Sequence, residues 1–139
     1  MKARKVKGLD PSTSLRVNAD RIVKTRLEEL RGFAEEALAP GASGAQHSMR
    51  IAAKRLRYVL EIVGPCVGEG AEAARSACRE LQSVLGDLHD CDLMLDRVEG
   101  IESATVLLRA RRELLFRRFV EHWQAQASKG TWATLERAL

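Results

Sequence analysis

The stretch HSMRIAAKRLRYVLE, residues 47–61, decides how this chain folds. Set on a helix at about 100° per residue, Met49, Ala52, Ala53, Leu56, Val59 and Leu60 fall on one side, joined by Val63 just beyond. His47, Arg50, Lys54, Arg57, Tyr58 and Glu61 fall on the other. The apolar arc demands a core. The polar arc is unusual, because Arg50, Lys54, Arg55 and Arg57 crowd together with no acid before Glu61. Arg50 and Lys54 form a like-charge pair one turn apart, which costs about 0.2–0.5 kcal/mol. A helix built for solubility alone interleaves both signs. A plainly solvated basic face is one reading of this row, and an anion lying along it, relieving the repulsion, is the other.

The same periodicity extends outward. Leu15, Ala19, Ile22, Val23, Leu27, Leu30, Ala34, Ala37 and Leu38 recur at helical spacing. They predict a first helix that starts near Asp10-Pro11-Ser12 and ends near Leu38. Pro40, Gly41 and Gly44 punctuate the chain before the second helix, expected over about 45–63 and ended by Gly64-Pro65. A third helix is expected over about 71–98, with Ala74, Ala77, Leu81, Val84, Leu85, Leu88, Cys91 and Leu95 on its stripe. Gly86 interrupts it, at a cost of about 1 kcal/mol against Ala, and signals a close approach or a kink. A fourth helix spans about 103–127 with Leu108, Leu115, Phe119 and Trp123, and a short last one begins near Thr131 and buries Trp132 and Leu135. Strand-like alternation is absent. The expected fold is all-α: an antiparallel bundle of four long helices plus a short C-terminal helix. It forms one domain over residues 11–139, preceded by a basic tail at 1–10.

Composition narrows the function. The 139 residues are 45% hydrophobic but only 4% aromatic, so the core is mostly aliphatic. The net charge of +4 favours a polyanionic partner, and the charge is unevenly placed. Arg109, Arg111, Arg112, Arg117 and Arg118 cluster around one acid, Glu113, whereas Asp87, Asp90, Asp92, Asp96, Glu99 and Glu102 form an acidic stretch. Three cysteines without a CxxC pattern suggest neither a disulfide framework nor a zinc site. No Glu-x-x-His or His-x-x-x-His pairing occurs, so no metal is expected. A nucleophile–base pair, a Walker loop and a GxGxxG turn are all missing, so neither an enzyme nor a cofactor is expected. No signal peptide or membrane-spanning run is read, and a reduced, cytoplasmic location is the default.

The string His47-x-x-Arg50-x-x-x-Lys54-Arg55-x-Arg57-Tyr58-x-x-Glu61, followed by Leu81-Gln82-x-x-Leu85-Gly86-x-x-x-Asp90, resembles the conserved histidine α-helical domain, the CHAD family. The likeness is strongest over about 45–98 and extends upstream through residues 2–9. The resemblance implies a helical module that binds inorganic polyphosphate through surface Lys and Arg, without turnover. His47 matches the family's signature histidine, with no role thereby assigned. Relatives of this type commonly carry two related bundles around a basic cavity. This chain shows one copy of the motif, which suggests a homodimer or an open binding face.

On that reading the polyphosphate-binding candidates are His47, Arg50, Lys54, Arg55 and Arg57 on the second helix and Arg75 and Arg79 on the third. Arg111, Arg112 and Arg118 of the fourth extend the set. Arg4, Lys5 and Lys7 lie on a tail that reads first as a disordered basic arm and second as a flap able to close over the ligand. The row from Arg50 to Arg57 spans about 10 Å, enough for a few consecutive phosphates. Nucleic acid is the alternative partner. It is disfavoured because Tyr58 is the only aromatic on the row and no Asn or Gln stands there to read bases. An acidic protein partner is a third reading.

Overall fold

The computed structural model describes all 139 residues. Five helices follow one another: α1 (Leu15–Ala37), α2 (Ser43–Val67), α3 (Ala71–Arg97), α4 (Glu102–Lys129) and α5 (Thr131–Arg137). The all-α architecture expected from periodicity is the one observed. Helix α2 lies between α1 and α3, α4 packs against α3, and α5 caps α3 and α4. The core is aliphatic, as composition requires: Leu27, Leu30, Met49, Leu56, Leu81, Leu85, Leu88 and Leu135 are buried, with Phe119 the largest buried side chain. Each such side chain contributes about 1.5–3 kcal/mol of burial. Trp132 stacks on Trp123 at 5.6 Å and ties α5 to α4, while Arg31 joins α1 to Glu136 of α5 at 2.7 Å. No helix is long and apolar enough to cross a membrane.

Two boundaries differ from the sequence reading, each for a local reason, and α4 buries less of its length than its stripe suggests. Helix α1 starts at Leu15 rather than near Asp10, with Ser14 Oγ accepting from the Val17 amide as its cap. Asp10 instead closes a turn, accepting from the Ser12 amide and hydroxyl at 2.9 and 2.7 Å. Such local side-chain bonds compete with helix. Helix α2 runs through Pro65 to Val67. Pro65 falls in the last turn, where its lost donor and its crowding of the preceding turn disturb little helix, and the helix stops at Gly68, whose φ of +95° favours glycine. Helix α4 buries only Leu115 and Phe119 and leaves Val106, Leu107 and Leu114 exposed.

The tail at 1–10 is also not a free arm. The Arg4 amide donates to Glu29 Oε2 at 2.8 Å, Arg26 donates to the Arg4 carbonyl at 3.0 Å, and Arg55 donates to the Met1 carbonyl at 2.8 Å. Asn18 closes the far end, exchanging hydrogen bonds with the Asp10 backbone. The tail is therefore a strap laid over α1 and α2.

Candidate functional site

Because α2 and α3 run antiparallel, their signature residues meet in one seam. At its first step the imidazoles of His47 and His89 stack, ring centres 4.1 Å apart and 20° from parallel. One turn on, the Arg50 stem lies over Gly86, where a Cβ would stand 3.8 Å from Arg50 Cδ. Next, Arg57 Nη1 donates to Gln82 Oε1 at 2.9 Å and Arg57 Nε to Glu61 Oε1 at 3.0 Å. The Arg57 guanidinium also covers the Tyr58 ring at 5.0 Å. The seam ends where Arg75 meets Glu72 at 2.6 Å and Glu61 at 3.9 Å.

The charge along this seam is graded. The Glu61–Arg75 end is internally neutralised. At the His47 end Arg50 and Lys54 have no carboxylate within ion-pairing distance, and Arg79, one turn from Arg75 at the other end, has none either but feels the charge of Glu72. Arg50 is half-buried, and its Nε has no hydrogen-bond partner. Leaving a buried donor unsatisfied costs about 1–3 kcal/mol. The His47 Nδ1 is likewise unpartnered. Burial, then the neighbouring His89 and Arg50, holds the His47 imidazole below its ordinary range, so it is neutral at pH 7. It thus enters the site as a neutral ring and not as a further fixed cation.

Gly86 is not demanded by sterics at this position. An interior helical glycine is unfavourable, and here the Arg50 stem lies beside it without needing the space a Cβ would fill. The clearance is ordinary van der Waals contact, so Gly86→Ala is expected to stabilise the fold by about 0.5–1 kcal/mol. The denaturant midpoint reports it, and a loss of stability on this substitution would contradict the geometry described.

The sequence candidates separate on this map. His47, Arg50, Lys54, Arg57 and Arg79 share the seam. Arg75 marks its neutralised end. Arg55, next to Lys54 in sequence, turns to the opposite flank of α2 and pairs with Glu29 Oε1 at 2.9 Å. Glu29, 4% exposed, also receives Arg26 at 3.0 Å and the Arg4 amide. Burial alone would raise its carboxyl, but the Arg4 amide, Arg55 and Arg26 outweigh that and hold it below the ordinary range. Arg112 is not on the seam. It binds Asp92, the Pro40 carbonyl, Ser43 Oγ and Gln46 Oε1, fastening the α1–α2 loop to α3 and α4. Arg118 lies in the α3–α4 groove with Glu80, Asp87 and His122, and Arg111 is exposed on α4 with no acidic partner. Arg4, Lys5 and Lys7 belong to the strap. Sequence reasoning did not place Gln82 and His89 in the site, since both emerge only from the α2–α3 register. Their one signal was helical spacing: residues 82, 86 and 89 recur on one face of α3.

Residues 2–99 match the family model described as CHAD domain, about two thirds of the chain, from the strap to the end of α3. The chain belongs to the CHAD family. No curated protein and no solved structure matches it. The CHAD segment therefore contains the whole seam and the strap, whereas α4 and α5 lie outside it and supply the packing that closes α3 from behind.

Proposed function

We propose that this CHAD chain binds inorganic polyphosphate along the α2–α3 seam, as a receptor and without turnover. One observation carries the reading: Arg50 and Lys54, one turn apart on α2, have no carboxylate of their own, and Arg50 Nε has no partner. A guanidinium suits bidentate phosphate contact, and an ammonium suits a point-charge contact. Gln82 fixes Arg57 beside them, so the row is partly preorganised. The seam's side chains are charge and hydrogen-bond donors suited to holding phosphates, which accords with a binding role.

Nucleic acid shares the phosphate chemistry and the salt sensitivity of such a site. The one aromatic nearby, Tyr58, is 47% exposed but already lies under Arg57, which leaves it a poor stacking platform. Competition among long-chain polyphosphate, single-stranded DNA, RNA and orthophosphate at fixed salt tests the proposal. Polyphosphate is expected to bind at least about tenfold more tightly than either nucleic acid at equal phosphate concentration, a gap of about 1.4 kcal/mol. Equal affinities would remove the proposal's advantage over a general polyanion binder.

A further inference from the structure

On α1, beyond the Arg55–Glu29 contact with α2, the strap builds a second cationic groove. Its volume is about 480 Å³, and Arg4, Lys5, Lys7, Arg21 and Lys24 line it. Glu28 is the one acid there, 3.9 Å from Arg4. Lys5, Lys7, Arg21 and Lys24 have no ion-pair partner. The strap is held by other groups. Glu29 grips the Arg4 amide, Arg26 and Arg55 grip carbonyls, and Asn18 grips Asp10, so the charges of Lys5 and Lys7 are left over. Gly8 makes the wrap possible. Its φ is +76°, and a Cβ there would lie 2.6 Å from the Arg21 guanidinium. The fold thus crowds like charges into one groove and gives them almost no compensation.

We infer that the strap and α1 form a second phosphate-binding subsite, separate from the α2–α3 seam. The inference rests on the polyphosphate reading and extends it to a ligand long enough to reach from the α2–α3 seam across α2 to α1 and the strap. Arg55 joins the start of the strap to α2, and Lys54 lies between the two grooves on the outer face of that helix. A long chain held at one groove meets the other at high effective concentration. A short chain fills one groove at a time. Length preference then arises from two modest sites on one rigid body.

The test uses the full chain with Lys5→Gln, Lys7→Gln and Lys24→Gln combined. All three side chains are exposed and unpaired, so the melting curve should be unchanged. Titration calorimetry at low salt with tripolyphosphate is expected to give two equivalents for the wild type and one for this variant. Affinity for long-chain polyphosphate should fall about tenfold, and Lys24→Glu alone should lower it in the same direction. Wild-type stoichiometry and long-chain affinity in both variants would overturn the inference and leave the seam reading standing. Loss of all tripolyphosphate binding in the triple variant would also overturn it, since the two grooves would not then be independent. If Arg50→Ala with Lys54→Ala changes nothing while the strap variant loses one equivalent, the subsite is supported and the seam reading falls.

Discussion

Arg50→Glu combined with Lys54→Glu is expected to weaken polyphosphate binding about a hundredfold at low salt. Four small effects act together: two attractions to phosphate are removed and two repulsions are created, each about 0.7 kcal/mol in a solvated site. Their sum of about 3 kcal/mol is two decades in affinity. The salt dependence should flatten too, because fewer phosphates are then neutralised by the protein. Neither cation pairs with a carboxylate, so the melting temperature should move little. Arg109→Glu with Arg137→Glu is the matched control. It makes the same change in net charge at exposed positions of α4 and α5 and should cost only a few-fold. Fluorescence anisotropy with labelled polyphosphate separates the two cases. Equal losses in both double variants would mean that the chain senses only its total charge.

The second large effect concerns the fold. Glu29→Ala leaves the Arg4 amide, Arg26 and Arg55 without their shared acceptor. Removing one partner from a buried charged network strands the rest. Arg26 and Arg55 keep partial access to water, so the expected loss is about 2–4 kcal/mol, or about 5–15 °C in melting temperature for a domain of this size. The strap should come free as well, and trypsin should cut near Lys5 and Lys7 much faster. The effect has a definite pH dependence. The folded Glu29 carboxyl is held below its ordinary 4.5, so its contribution is complete above that value and is lost as pH falls through the lower folded value. The gap between wild type and Glu29→Ala in urea unfolding should therefore be full at pH 7 and narrow as pH is taken progressively below 4.5. A variant as stable as wild type at pH 7, with the strap still protected, would refute the role given to Glu29.

Both predictions show what the residues alone could and could not convey. Periodicity sufficed for the five helices, because an apolar stripe at 3.6-residue spacing has one way to be buried. The basic row was legible in the same manner, except at Arg55. One residue from Lys54 means 100° around the helix, and that rotation hands Arg55 to α1 and its Glu29. Whether a cation is free or spoken for depends on which acid a neighbouring helix brings, and Glu29 lies 26 residues away in sequence. The contacts of Gly86 and Gln82 became legible only once the α2–α3 register set them opposite Arg50 and Arg57. The strap's order was hidden for a similar reason. Its composition is that of a solvated arm, and it is fixed by backbone groups that composition does not describe.

An amide and side-chain NMR titration with short-chain polyphosphate tests the seam most directly. The largest shifts are expected at the Arg50 Nε–H, the Gly86 amide, the Gln82 side chain and the His47 and His89 rings, with Arg109, Arg117 and Arg137 unmoved. Shifts confined to α4 and α5, or none at the α2–α3 seam under saturating ligand, would contradict binding there.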